Sequence, residues 1–234
     1  MRQSRAIAVI IPALNEAQAI GRVVADIPDW VDQIIIADNG STDDTAAVAR
    51  AAGAIVVHES EKGYGAACLK GIATAGQVDI FVFMDGDYSD FGEDMHLLVD
   101  PILAGEADFV LASRALGKRE AGSLTPQQRF GNWLATTLMR LIWRADFTDL
   151  GPYRAISRDA LERLQMADRN YGWTVEMQIK AAEIGLRCRE VPGRYRRRIG
   201  QSKVSGTLKG SILAGTKILS VIGRHALRPS LKRV

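Results

Sequence analysis

Three observations predict an α/β fold with a doubly wound, mainly parallel sheet in a single domain. Short apolar or β-branched runs alternate with helical patterns through the first half of the chain, and polar residues follow those runs at once. The 234 residues, 47% of them hydrophobic, suit one such domain with a sizeable core.

The runs at residues 7–11, 33–37, 54–58, 80–84 and 108–112 read as strands buried on both faces. The first absorbs the apolar opening after Arg2 and Arg5. That opening is not read as a signal peptide, because Pro12 breaks it and Asn15 and Glu16 follow. Ser41 and Asp44 give a capping pattern for the second helix, which Gly53 ends, and a third helix opens at GYGAA. A fourth starts near Glu93, with Pro101 expected to kink or end it. Beyond residue 113 come a long loop, a helix over 127–144, the DLGPYRAI segment, two further helices and a basic loop. The spacing of Trp133, Leu134, Leu138, Leu141 and Ile142 reads as core.

This order divides residues 1–205 into a binding half, 1–112, and a second half, 113–205, that completes the crevice, followed by a tail, 206–234. In doubly wound sheets ligands bind beyond the carboxyl ends of the strands. Asn15 and Glu16, Asp38, and Asp85 with Asp87 all fall at such ends and are expected to converge.

Composition excludes several classes. A formal charge of +3 is too small to announce a nucleic-acid protein. Cys68 and Cys188 make neither a disulfide framework nor a metal-ligand spacing, so both are read as reduced cytoplasmic residues. No run reaches the roughly 20 apolar residues of a membrane span. Attachment at the cytoplasmic membrane face stays open.

FVFMDGDYSD, residues 81–90, places two carboxylates at a strand end, with Gly86 between them free to bend the backbone. Hard cations favour oxygen ligands, so Mg²⁺ or Mn²⁺ held by Asp85 and Asp87 and completed by a substrate diphosphate is one reading. A solvated Asp/Gly turn is the other.

IPALNE, ADNGSTDDT and FMDGDYSD, in this order, resemble the motifs of family 2 glycosyltransferases. The R-x-x-G-x-S-K pattern from Arg197 to Lys203 is similar to that of polyprenyl-phosphate sugar synthases of the dolichyl-phosphate mannose synthase type. The likeness spans residues 7–205. It departs at Asn39, where many relatives carry a second aspartate, and at Ser89, where the mannose synthases often place a glutamine.

The resemblance implies a GT-A type fold and metal-dependent, inverting transfer of a sugar from a nucleotide sugar, with a polyprenyl phosphate as leading acceptor. It assigns Pro12, Asn15, Glu16 and Asp38 to the nucleoside, Asp85 to the ribose and phosphates, and Asp87 to the metal of the DXD motif. For Asp38, capping of a turn is the rival reading. A lipid phosphate is largely ionised near pH 7 and needs cations rather than a base, for which Arg114, Arg129, Arg197 and Lys203 are candidates. A hydroxyl acceptor would need a base, and Glu176 is the candidate, with an i,i+4 bridge to Lys180 as its alternative. Asp149 either lines the acceptor pocket or caps the turn before Gly151.

FVFMDGDYS also resembles the nucleophile motif of haloacid-dehalogenase-type phosphatases, which normally ends the first strand of its domain. A third reading is a noncatalytic scaffold that binds a nucleotide or a membrane partner. The tail places Leu208, Ile212, Leu219 and Ile222 at nearly helical spacing among cations. It is expected either to lie on an anionic bilayer or to pack on the core or on a partner subunit.

Overall fold

The computed structural model describes residues 1–200 and 208–227. Seven strands form one sheet: β1 Ile7–Ala13, β2 Gln33–Asp38, β3 Ile55–His58, β4 Ile80–Phe83, β5 Phe109–Ser113, β6 Arg154–Ser157 and β7 Cys188–Pro192. Their order across the sheet is β3-β2-β1-β4-β6-β5-β7. All pairs are parallel except those of β6, which runs antiparallel between β4 and β5.

The period-two alternation of β1 sorts its side chains between two cores. Ala8 and Ile10 face one layer, which holds α3 Tyr64–Thr74, α5 Pro126–Trp143, α6 Arg158–Leu164, α7 Trp173–Glu183 and α8 Leu208–Ala226. Ile7, Val9 and Ile11 face the other, formed by α1 Ile20–Ala25, α2 Thr45–Ala51 and α4 Met95–Leu103. Phe83 meets Trp173 edge-on with ring centroids 5.9 Å apart, a geometry worth about 1 kcal/mol beyond burial. This contact ties the end of β4 to the start of α7.

Several sequence expectations are corrected here. β3 is an edge strand, so Ile55 is 46% exposed rather than buried on both faces. Ser41 does not cap α2: its hydroxyl accepts the Asn15 N–H, and Asp43 accepts the Thr45 N–H at 3.0 Å. Pro101 fits within the last turns of α4 and ends nothing. DLGPYRAI, read only as a short segment without a strand, runs into β6.

The cap of α5 is a Thr125–Gln128 capping box with Pro126 in its first turn. Only part of the apolar stripe expected on this helix is core. Leu138 packs inward, whereas Trp133, Leu141 and Ile142 are exposed, because α8 covers one side of α5 and nothing described covers the other. The tail shows the same division. Val221 and Ile222 are buried, whereas Ile212, Leu213 and Leu219 are exposed.

Candidate active site

The polar ends of β1, β2 and β4 open into a cleft of about 1130 Å³ whose other wall comes from the α5 N-terminus, the 170–174 turn, the 195–198 loop and α8. Parallel register sets one wall: Ala13 lies beside Asp38, and the Asn39 N–H donates to the Ala13 carbonyl at 2.9 Å. Pro12 and Glu16 line the cleft. Asn15 and Asp38 tie its loops together. Asn15 adopts a left-handed φ of 55° and accepts the Thr42 N–H at 2.7 Å, and Asp38 accepts the Ser41 N–H at 3.1 Å.

Asn39, noted only as a departure from the family pattern, proves to build the cleft. Its amide donates to the Glu59 and Glu61 carbonyls and accepts from the Gly63 N–H, which seats Lys62, Gly63 and Tyr64 at the rim. A Cβ at Gly65 would lie 2.0 Å from the Asp168 carbonyl oxygen. Only glycine lets the 168–171 turn close down here and bring Asn170 and Tyr171 to the rim.

Asp85 and Asp87 both face the cleft. The backbone bends not at Gly86 but at Tyr88, whose φ is 65°. Gly86 serves close packing instead, since a Cβ there would sit 3.3 Å from both Ile11 Cγ2 and Ile20 Cδ1. Asp87 Oδ1 accepts from the Ser89 N–H at 3.0 Å and from the Ser89 hydroxyl at 2.6 Å. Ser89, noted above only as a departure from the family pattern, thus fixes the carboxylate plane. Burial and then the charge of Asp87 push the Asp85 carboxyl up to about 7, and the Tyr64 hydroxyl donates to it at 3.2 Å. Asp90 lies behind the pair, raised well above the usual carboxylate range by burial and then by Asp85 and Asp87.

On the opposite wall the Arg114 guanidinium grips Asp149 with two prongs, and Arg197 lines the cleft with its Nε–H bonded to the Ala121 carbonyl at 2.7 Å. Of the four arginines between 194 and 198, Arg194 pairs with Glu93 and Asp94, and Arg196 stacks on Tyr88 and pairs with Asp26. Arg197 and Arg198 therefore remain to the cleft. Arg129 is exposed outside it, and Lys203 lies outside the described residues.

Glu176 is placed elsewhere. Its buried carboxylate accepts the Ala167 and Asp168 N–H groups and pairs with Lys180 at 2.8 Å, the bridge that was its alternative reading. Asp149 likewise anchors Arg114 rather than lining the pocket. Beneath these loops the fully buried Arg154 donates to the Leu150, Gly151 and Thr174 carbonyls. Burial pushes it down to about 10.

Sequence reasoning passed over Tyr64, Tyr195 and Arg198, all of which line the cleft. Arg198 was visible only as one cation in a basic run. Its pairing with acids more than 100 residues away leaves no local trace.

Among the described residues no three His, Cys, Asp or Glu side chains form a metal cage. The donor set is all oxygen, one oriented carboxylate beside a second. This suits Mg²⁺ or Mn²⁺ completed by substrate phosphates and does not suit zinc.

Comparison with known proteins agrees with this geometry. The sequence profile of glycosyl transferase family 2 matches residues 8–165. An uncharacterised glycosyltransferase of Mycobacterium tuberculosis is 37% identical over 211 residues, covering 89% of this chain and 94% of its own. The undecaprenyl-phosphate mannosyltransferase of Micrococcus luteus is 28% identical over 216 residues, covering 86% and 88%. The crystal structure of glucosyl-3-phosphoglycerate synthase from M. tuberculosis, in complex with Mn²⁺, UDP and glucosyl-3-phosphoglycerate, superposes with a TM-score of 0.77 at 26% identity, covering 97% of this chain and 82% of that one. The strand-end carboxylates, the parallel sheet that carries them and these matches agree: the chain belongs to glycosyl transferase family 2 and has its GT-A type fold.

Proposed function

We propose that this glycosyltransferase moves a sugar, with inversion, from a nucleotide sugar to a polyprenyl phosphate at the cytoplasmic face of a membrane. The observation that carries the acceptor is the make-up of the cleft. From the carboxylates and Arg197 it continues into an apolar trough between α5 and α8, lined by Phe130, Leu134, Ile212, Ile218 and Leu219. A phosphate at the charged end with an isoprenoid chain along the trough matches both halves. The M. luteus relative is named for such an acceptor.

The acids point the same way. Among the described residues, Glu16, Asp85 and Asp87 are the carboxylates that line the cleft, all on the donor side, and Glu176 is held away from it. A hydroxyl acceptor would find no acceptor-side base, and an ionised phosphate needs none. The likeness to glucosyl-3-phosphoglycerate synthase supports a second reading, a small phosphorylated acceptor, which leaves the trough without an occupant.

In the proposed reaction Pro12, Glu16 and the loop ordered by Asn39 seat the nucleoside, and Asp85 and Asp87 would hold Mg²⁺ or Mn²⁺. When bound, that cation supplies charge stabilisation to the departing diphosphate. Arg197 holds the acceptor phosphate, and the Arg114–Asp149 pair fixes the wall behind it. The DGD segment ends β4 after three strand-helix units, and with the family match this sets the phosphatase reading aside.

Incubation with pooled nucleotide sugars and either a short-chain polyprenyl phosphate or 3-phosphoglycerate, read by mass spectrometry, tests the proposal. A sugar-phospho-polyprenol product is expected. Product from 3-phosphoglycerate alone would overturn the lipid acceptor.

A further inference from the structure

Asp87 divides its two oxygens between different partners. Oδ1 is fixed by Ser89, whereas Oδ2, the oxygen left for a cation, lies 3.0 Å from Arg198 Nη1. The other prong, Nη2, donates to Glu16 Oε1 at 2.6 Å. One guanidinium thus spans the donor-side acid after β1 and the acid after β4. Among the described residues its buried Nε–H has no hydrogen-bond partner, so within them the fork is not fully satisfied where it rests.

The backbone beneath this side chain is anchored to the carboxylate loop itself. The Arg196 N–H donates to the Ser89 carbonyl at 3.0 Å and the Ile199 N–H to the Asp87 carbonyl at 2.9 Å. Rotation about side-chain bonds is enough to lift the guanidinium from Asp87 while its backbone stays over the diphosphate site.

We propose that Arg198 is a positioning residue: it occupies the metal-accepting oxygen of Asp87 and yields it when a divalent cation arrives with the donor's diphosphate, making cation and nucleotide bind cooperatively. The inference rests on the reading of Asp87 as metal ligand. Two cations compete for one oxygen, so a divalent ion entering alone must displace Arg198 and leave it beside a second positive charge with no new anion. A nucleoside diphosphate brings that anion. The displaced fork can engage phosphate oxygens, and a cation held by Asp87 would supply charge to the same diphosphate, so each ligand removes the penalty of the other. Without Arg198, metal alone meets an open Oδ2.

Mn²⁺ binding followed by electron paramagnetic resonance, with and without UDP or GDP, tests this independently of turnover. Arg198→Gln is expected to bind Mn²⁺ alone roughly tenfold more tightly than the native protein, and the factor by which nucleotide tightens Mn²⁺ is expected to shrink to match. Arg198→Lys, which keeps a charge but cannot span Glu16 and Asp87, should fall between them. If Arg198→Gln fails to fold by circular dichroism, the Lys variant decides by the same criterion. Unchanged or weaker Mn²⁺ binding, with the nucleotide effect intact, would overturn the proposal. Absence of Mn²⁺ binding in the native protein even with nucleotide would instead overturn the metal reading of Asp87, and this inference with it.

Discussion

Arg114 and Asp149 form a two-pronged pair in the wall of the cleft, Nε to Oδ2 at 2.7 Å and Nη2 to Oδ1 at 2.8 Å, closed by the Arg114 main-chain N–H at 2.8 Å. The aspartate side chain is 3% exposed and the arginine 14%. Burial works to raise the Asp149 carboxyl, but the adjacent guanidinium and these hydrogen bonds hold it below its ordinary value. A carboxylate whose folded-state pKa is depressed contributes stability above its unfolded value, about 4, and loses it as pH falls through the folded one. Asp149→Asn leaves a buried guanidinium uncompensated and should cost about 3–5 kcal/mol in urea denaturation at pH 7. Its deficit should narrow as pH falls below about 4. A deficit that stays constant down to acid pH would show that Asp149 stabilises through its shape rather than its charge.

Asp87→Asn should lower metal-dependent turnover about 10²–10³-fold, because a neutral amide stabilises the cation at the leaving diphosphate poorly. Ser89→Ala frees Oδ1 without removing the charge, so its loss should be clearly smaller. The native circular dichroism spectrum should persist in both. Equal, slight effects on turnover would remove Asp87 from the metal site.

Arg197→Ala should raise KM for acceptor phosphate by about 10–100-fold, the worth of a charged hydrogen bond, while donor KM stays near the native value. The Ala121 carbonyl already holds Nε, so the guanidinium is pre-aimed and a lysine should restore only part of the loss. A matched rise in donor KM would place Arg197 over the donor diphosphate instead.

The sequence displayed what periodicity and strand-end chemistry encode. Ile7, Val9 and Ile11 alternate with Ala8 and Ile10 because β1 is buried on both faces, and Asp85 and Asp87 stand out because acids rarely follow such a run. β6 escaped notice because it is short, antiparallel and follows a Gly-Pro pair, which reads as a turn. The exposure of Trp133 and Leu141 could not be read either. Helical spacing reveals an apolar stripe but not whether a neighbour covers it. Glu176 leaves the cleft and Arg198 enters it for a similar reason: partners the local pattern does not show, the 167–168 amides for one and Glu16 with Asp87 for the other, decide where each side chain points.

The exposed faces of α5 and α8 carry the last prediction. Phe130 and Trp133 meet in a tilted contact, ring centroids 5.8 Å apart, and, by helical spacing, share an outer stripe with Arg140, Leu141 and Arg144. Phe130, Ile212 and Leu219 are exposed and also line the trough, so the proposed lipid site opens onto this apolar surface. Among the described residues no helix is long and apolar enough to cross a membrane. An apolar face with basic flanks binds an anionic bilayer by partial insertion plus charge attraction, which salt weakens. The protein should therefore co-sediment with vesicles containing phosphatidylglycerol at low salt and less so at high salt. Phe130→Ser with Trp133→Ser should reduce that binding at least about tenfold, since each aromatic ring withdrawn from water is worth roughly 1.5–3 kcal/mol. Both side chains are about 60% exposed, 61% and 59%, so the double variant should keep the native melting temperature. Undiminished co-sedimentation of a folded double variant would show that Phe130 and Trp133 do not carry the membrane contact. Because Phe130 also lines the trough and Trp133 does not, Trp133→Ser alone separates the two: loss of turnover on a polyprenyl phosphate held in vesicles, with turnover retained on a detergent-dispersed short-chain analogue, would tie this surface to acceptor delivery rather than to chemistry.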